Sequence, residues 1–383
     1  MTTAAPAIHT NSKTAVKTTV AVAMSGGVDS SVAAALLVDE GYDVIGLTMH
    51  LWTDEKGQEM SLNRASGCCS ITMAQDARAV SDRLGIKHYV LNLSKEFHGS
   101  VVENFAGEYL AGRTPNPCVR CNTFVKWQTL LDKAQKLGCE YLATGHYARV
   151  QKTGDRAMLL RARYLEKDQS YALWGLSQHS LHQTLFPLGD LPKSRVRELA
   201  RGLELVTADK PESQDICFVP DNNYRRFLQD NFAMELKVLG GGEFIGPDGR
   251  VLGHHEGITN FTVGQRKGLG LSAGRPLYVK RIEPETDRVY LDYDENCLDS
   301  VAFGHDTNWV SIPRPSDPVK CDVKVRYRSE AVAAIVTSLP DGKVRIEFDT
   351  PVRAVTPGQS AVFYDGDIVL GGAILTSIEG VSQ

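Results

Sequence analysis

Among its 383 residues the chain has no apolar run near the roughly 18 residues that a membrane-spanning helix needs. Residues 1–17 lack the apolar centre of a secretory leader. They are rich in Ala, Thr and small polar residues and read as a disordered tail, and their few lysines without acids leave a weak organellar-targeting reading. A surplus of positive charge is also missing: 42 Lys and Arg against 46 Asp and Glu give a net charge of −4. Wholesale coating of nucleic acid by the overall field is therefore excluded, and any RNA contact must come from a local basic surface. No repeat of roughly 20 to 50 residues and no long low-complexity tract argues for a solenoid or a linker protein. Eight cysteines without a secretory leader point to a reducing compartment, the cytoplasm. There, clustered cysteines act as ligands or catalysts more often than as staples.

What is present is a chain that is 42% hydrophobic, long enough to bury a substantial core and to form three domains. Strand and helix patterns alternate through the first 140 or so residues. Thr18 to Ala23, Asp43–Met49, His88–Leu93 and Tyr141–Thr144 read as strands. Ile71–Leu84, Phe97–Leu110 and Trp127–Leu137 read as helices, two of them closed by Gly85 and Gly138. Such alternation predicts a parallel sheet with helices on both faces and ligands at the carboxyl ends of the strands. Helical pattern then continues to about Leu228, after which glycine-rich turns separate short strand-like pieces. From about Val301, five short strands (Val319–Tyr327, Ala331–Ser338, Lys343–Phe348, Ser360–Tyr364 and Ile368–Thr376) suit an antiparallel barrel. The expected class is mixed α/β. The boundaries are a tail at 1–17, a catalytic domain at 18–228, a small β-rich central domain at 229–298 and a C-terminal β-barrel at 299–383.

The segment Ala23-Met24-Ser25-Gly26-Gly27-Val28-Asp29-Ser30 lies between the first strand and a helix rich in alanine. Free backbone N–H groups and the helix dipole there converge on one spot, and the two glycines let the backbone approach a phosphate. There is no GxxxxGK[ST], so this is not the loop that grips β- and γ-phosphates through a lysine. SGGVDS resembles instead the pyrophosphate loop of ATP pyrophosphatases. Met49 and Thr144-Gly145-His146, at the ends of two other strands, are expected to line the same crevice.

A second constellation is Thr114-Pro115-Asn116-Pro117-Cys118-Val119-Arg120-Cys121-Asn122, a CxxC read as lying in a proline-stiffened loop, with Arg120 favouring thiolates. A third cysteine of interest, Cys217, ends Lys210-Pro211-Glu212-Ser213-Gln214-Asp215-Ile216-Cys217. A zinc site would need a fourth ligand, which Cys68 and Cys69 offer on paper. A thioredoxin-type pair would start a helix directly after the first strand, which the spacing does not give. His254 and His255 are adjacent on a strand-like piece and so point to opposite faces, which disfavours joint ligation and suits an RNA-facing loop.

In this order SGGVDS, GCC, TPNPCxxCN, ATGHYA, KDQSY and KPESQDIC resemble the tRNA-specific 2-thiouridylase family. Gly264 to Gly270, Val325-Arg326-Tyr327-Arg328 and Pro357-Gly358-Gln359 extend the resemblance over about residues 19–378. It implies that ATP, with Mg2+, adenylates O2 of the wobble uridine of tRNA, and that sulfur then displaces AMP. It implies ATP contacts from Ala23 through Ser30, Met49 and Gly145, and target-base contacts from Asn116, Pro117 and Cys118. Further tRNA contacts fall on His146, Lys167, Asp168, Gln169, Arg326, Tyr327 and Gln359. Lys167, Arg266, Lys267, Arg326 and Arg328 supply the local charge. Cys217 matches the persulfide-carrying cysteine and Cys121 the second, nucleophilic or disulfide-forming one, with sulfur supplied by a cysteine desulfurase or relay protein. A monomer acting on one tRNA is the default expectation.

Many members of the family carry Asp where this chain has Cys118, so a carboxylate role at that position is not available here. Two sulfur routes stay open: a persulfide on Cys217 resolved by Cys121, or a 4Fe–4S cluster on Cys118, Cys121 and Cys217 with one iron open to sulfide. Two other functions compete. An amide-forming synthetase of the same loop class has no use for these cysteines, and an RNA-binding or iron–sulfur carrier protein would not keep Ser25, Gly26, Gly27, Asp29 and Ser30 intact.

Overall fold

The computed structural model describes residues 17–51, 71–211, 216–219, 221–272 and 274–376. Its first sheet holds β1 (Thr19–Ala23), β2 (Asp43–His50), β3 (Lys87–Asn92), β4 (Tyr141–Thr144) and β7 (Thr184–Leu185). All neighbours are parallel, in the order β3-β2-β1-β4-β7. The chain leaves β1 toward β2 and β3 on one side and later returns to β4 on the other. The crevice between the carboxyl ends of β1 and β4 is therefore a topological switch point, where such sheets bind ligands.

Side chains on β1 alternate between two cores, as a strand period of two requires. Val20 and Val22 join Val32, Ala33, Ala34 and Leu37 of α1 (Val28–Asp39) and Val196 and Ala200 of α6 (Lys193–Gly202). Ala21 and Ala23 face Phe97, Val101 and Phe105 of α3 (residues 94–110) and Leu130, Leu131 and Ala134 of α4 (residues 117–136). Small residues suffice along α1 because it is buried between the sheet and α6, with Val32, Ala33 and Ala34 fully inaccessible.

The structure revises the expected helical stretch from 145 to 228. An antiparallel hairpin, β5 (Ala148–Thr153) and β6 (Arg156–Arg161), turns at Gly154 and pairs with the barrel through Ile368 opposite Leu160. Among the described residues α-helix there is limited to α5 (Gln178–His182), α6 and α7 (Tyr224–Asn231), followed by α8 (Ala233–Leu239).

The central unit is a four-stranded sheet of β8 (Gly242–Ile245), β9 (Val251–His255), β10 (Tyr278–Glu283) and β11 (Arg288–Asp292), around Phe244, Ile258, Phe261 and Val279. His254 and His255 lie on β9 and not in a loop, the first exposed and the second buried between Phe244 and Phe261. The last unit closes as a six-stranded antiparallel barrel. Its strands are β12 (Leu298–Asn308), β13 (Val319–Lys324), β14 (Val332–Ser338), β15 (Val344–Arg353), β16 (Ser360–Asp365) and β17 (Ile368–Thr376). Pairing runs β12-β15-β14-β13-β16-β17 and returns to β12. No helix among the described residues is long and apolar enough to cross a membrane.

The first unit meets the barrel at Trp174. Its indole N–H donates to Ser360 Oγ at 3.0 Å, and a Cβ at Gly372 of β17 would lie 2.6 Å from its ring. Overpacking of this kind costs about 1–3 kcal/mol. Gly372→Ala is accordingly expected to lower the urea midpoint by that free energy with an unchanged m-value; an unmoved midpoint would mean the ring is not held against β17.

Candidate active site

The glycine turn leaves the end of β1 and enters α1 with Gly27 as an N-cap that offers no side-chain cap. The first-turn N–H groups of such a helix have no intrahelical acceptor and face the crevice. The loop is shaped by its own hydroxyls. Ser30 Oγ accepts from Ser25 N at 3.1 Å, and Ser30 and Ser31 donate to the Gly27 carbonyl at 3.2 and 2.9 Å. Gly26 has φ +70°, and a Cβ there would lie 2.2 Å from the Met73 carbonyl oxygen, so no other residue fits. Across the switch point a Cβ on Gly145 would lie 2.6 Å from Ser30 N, which keeps the end of β4 flush with the loop. Ala23 and Met24 are buried beneath it, Met24 N donating to the Leu47 carbonyl and Thr48 Oγ1 to the Met24 carbonyl, each at 2.8 Å. Met49, half-buried near the end of β2, packs against the core cluster that contains Ala21 and Ala23.

Three polar residues at this loop escaped the sequence reading of the site. Lys193, at the start of α6, holds both oxygens of Asp29 at 2.7 and 2.8 Å, and Tyr147 donates to Asp29 at 2.7 Å. Lys210 pairs with Asp76 of α2 (Ile71–Leu84) and reaches the Gly26 carbonyl at 3.4 Å. Two ammonium groups thus flank a turn that already concentrates N–H donors. Tyr147 and Lys210 stood inside the quoted ATGHYA and KPESQDIC segments, but Lys193, 164 residues from Asp29, left no local signal.

The CxxC segment corrects the expectation of a loop. Pro117, Cys118, Val119 and Arg120 form the first turn of α4, with Pro117 at the start and Asn116 as N-cap, its side chain accepting from Val119 N at 3.4 Å. Proline at a first helical position is pre-set for helix and loses no hydrogen bond. Residues Cys121–Leu130 continue as a π-helix, a widening often found at functional sites. Cys118 is exposed, while Cys121, one turn on, is buried at 9% exposure. Arg120 does not serve the thiols alone: it donates to the Ser100 carbonyl at 2.8 Å and lies over the Phe124 ring.

Half-buried Cys217 packs against the same core cluster that contains Cys121. Its neighbour Phe218 makes edge-on contacts with Phe97, Phe105 and Phe227 at 5.6, 5.1 and 5.2 Å, which anchor the segment to α3 and α7. The segment that begins at the glycine turn with Lys210 therefore ends in the cysteine-bearing core. Cys68 and Cys69, and with them the GCC segment, lie outside the described residues. Cys139 and Cys297 are buried, and burial pushes both thiols up; that of Cys321 is pushed up to about 12. These three suit packing and not nucleophilic work.

The residues expected at tRNA divide in two. Tyr327 is 46% exposed, and burial, Asp168 and Cys118 among its neighbours hold its phenol above the usual value. Lys167, half-buried, stands beside it, and Arg328, Arg266 and Lys267 are exposed. Others are engaged within the protein. Arg326 donates to the Val263 and Ala354 carbonyls and to Thr356 Oγ1 at 3.1, 2.8 and 2.7 Å. Asp168 accepts from Ala162 N and from the Ser170 hydroxyl, and Gln169 exchanges bonds with the Tyr147 backbone. Gln359 donates to the Thr114 and Pro115 carbonyls at 3.1 and 2.9 Å. His146, bonded to Thr144 Oγ1 at 2.7 Å and packed on Trp127 and Phe186, is held well below its ordinary pKa by burial and by Lys126.

A nucleotide-type loop at a switch point, a cysteine-bearing helix beside it and two appended β units define an ATP-using enzyme of the pyrophosphate-loop class. Residues 18–221 match the family described as tRNA methyl transferase HUP domain, 227–292 the tRNA methyl transferase PRC-barrel domain, and 302–375 the aminomethyltransferase beta-barrel domain. A tRNA-specific 2-thiouridylase MnmA of Acetivibrio thermocellus is 47% identical over 361 residues, covering 94% of this chain and 99% of that one. Its namesake in Symbiobacterium thermophilum is 47% identical over 359 residues, covering 93% and 91%. The one in Carboxydothermus hydrogenoformans is 48% identical over 358 residues, covering 93% and 97%. The chain belongs to the tRNA-specific 2-thiouridylase family.

The close approach of Gly145 to Ser30 generates a test. Gly145→Ala is expected to weaken ATP binding at least about tenfold, or about 1.4 kcal/mol, beside a stability loss of about 1–3 kcal/mol from the clash itself. Wild-type affinity by calorimetry would show that the end of β4 does not border the nucleotide.

Proposed function

We propose that this chain activates O2 of the wobble uridine in tRNA with ATP and replaces it by sulfur, yielding 2-thiouridine, AMP and pyrophosphate. The observation that supports the reading is that Lys210 reaches the glycine turn while Cys217, further along the same short segment, packs against the core cluster that holds Cys121. On this reading phosphate binding and sulfur chemistry share one site. A uridine oxygen is a poor leaving group; bonded to AMP it becomes a good one. The uridine oxygen attacks the α-phosphorus and the bond to pyrophosphate breaks. The leaving charge meets the first-turn N–H groups of α1, the Ser25 and Ser30 hydroxyls, Lys193 and Lys210. Asp29, in the first turn of α1, would hold a magnesium ion brought with the triphosphate once Lys193 turns from it to phosphate, and the ion would supply charge neutralisation there.

Sulfur reaches Cys217 as a persulfide from a desulfurase or relay protein. Its terminal sulfur attacks C2 and the carbon–oxygen bond to AMP breaks. A Cys121 thiolate then attacks Cys217, which frees 2-thiouridine and leaves a Cys121–Cys217 disulfide; the two electrons of that bond reduce the transferred sulfur. A thiol reductant resets the pair. A 4Fe–4S cluster fits less well. Among the described residues no three His, Cys, Asp or Glu side chains are grouped to hold a metal ion, so we derive no step through one.

Exposed Tyr327, with Lys167, Arg266, Lys267 and Arg328, offers the stacking face and charge that hold an anticodon loop while one base is turned out, at a cost of a few kcal/mol. A monomer acting in the cytoplasm on one tRNA at a time completes the reading.

Cys217→Ser is expected to abolish thiolation while tRNA-dependent pyrophosphate release persists; retained thiolation would contradict its role. Asp29→Ala is expected to remove AMP formation, and normal AMP formation would mean the loop is misread. Iron and labile sulfide measured in anaerobically purified protein are expected near zero. About four irons per chain, lost in Cys118→Ala, would favour the cluster route.

A further inference from the structure

The short loop between α3 and α4 is where all three units meet. Gly112, at φ +66°, is closed in by the central domain: a Cβ there would lie 2.9 Å from Ile282 Cγ2 and 3.0 Å from Pro284 Cγ. Thr114 Oγ1 lies 3.4 Å from Thr262 Oγ1 of the same domain. From the other side comes a turn of the barrel. Thr114 N donates to the Pro357 carbonyl at 2.8 Å, and the Gln359 amide spans the Thr114 and Pro115 carbonyls. Gly358, at φ +88°, fits so closely that a Cβ would lie 2.7 Å from the Thr114 oxygen and 3.0 Å from Glu108 Oε2.

That barrel turn is itself fixed. Gly358 N donates to the Leu375 carbonyl at 2.8 Å and Leu375 N to the Gln359 carbonyl at 2.7 Å, which bind it to β17. Arg326 and Thr356 brace its base against Ala354 and Val263. Asn116, the N-cap of the cysteine-bearing helix, follows Pro115 directly, and Cys118 and Cys121 occupy the next two turns.

We propose that the Pro357-Gly358-Gln359 turn of the barrel is a positioning element for the catalytic helix, with Gln359 setting where α4 begins and how deeply Cys121 is buried. The proposal goes beyond the thiolation reading in giving the barrel a role before any RNA is bound. Gln359 thus acts on the cysteines through the loop and not by touching substrate. The geometry explains the Gly-Gln of this turn: a glycine removes the clash, and a two-donor amide bridges two successive carbonyls.

The test is made on Gln359→Leu and, independently, Gly358→Ala, in the reduced full-length protein without RNA. Iodoacetamide labelling is resolved by peptide mass at Cys118 and at Cys121. The expected result is labelling of Cys121 about tenfold faster than in wild type, with the melting temperature within a few degrees. With tRNA and ATP, turnover falls about tenfold at saturating tRNA and KM for tRNA stays within about twofold. Unchanged labelling together with a raised KM would make Gln359 an RNA contact and overturn the proposal. So would unchanged labelling in Gly358→Ala. Wild-type protein that fails to thiolate tRNA would count against the functional reading alone, because the labelling result does not depend on it.

Discussion

The architecture turns on one exclusion: no side chain stands between the end of β4 and the first turn of α1. A Cβ on Gly145 would reach Ser30 N and the Asp29 backbone, and one on Gly26 would strike the Met73 carbonyl. Because these positions are bare, the unpaired N–H groups of α1 stay at the surface of the crevice. Among the described residues around them, Lys193 is paired with Asp29 and Lys210 with Asp76, so each of these ammonium groups has a carboxylate partner.

From that loop two covalent routes lead to sulfur chemistry. One runs through α3 and the three-domain junction to Cys118 and Cys121. The other carries Lys210 and Cys217, beside which Phe218 packs among Phe97, Phe105 and Phe227. Both cysteine segments are attached to the same core as the sheet strands that present the loop. The spacing between the glycine turn and the cysteine segments is thus set by packed side chains, dense enough that a missing ring would be felt as a cavity costing about 3 kcal/mol or more.

Much of this was legible in the sequence. β1, β2 and β4 announce themselves as apolar, β-branched runs, and SGGVDS supplies the turn between β1 and α1. β17 is found at its expected bounds, and β16 runs one residue beyond them. The misreadings have physical causes. Two prolines around Asn116 looked like loop stiffeners, yet Pro117 is at the position where a helix loses nothing by containing one. The β5–β6 hairpin was hidden because its exposed end, Gln151 to Asp155, is polar and interrupts the apolar alternation, although Thr153-Gly154-Asp155 is a turn signal. Pairs such as Lys193 with Asp29, or Gln359 with Thr114, join residues far apart in the chain and have no periodicity to betray them. The resemblance assigned Arg326 and Gln359 to tRNA; their side chains bond to backbone carbonyls of neighbouring segments.

The central claim is that ATP activates a uridine oxygen which then departs with AMP. It is tested most directly by following that oxygen. A tRNA carrying oxygen-18 at O2 of the wobble uridine, turned over once with ATP and a persulfide donor, should yield AMP bearing one heavy oxygen and 2-thiouridine bearing none. Unlabelled AMP beside thiolated tRNA, or heavy oxygen recovered in pyrophosphate, would contradict adenylation of the base.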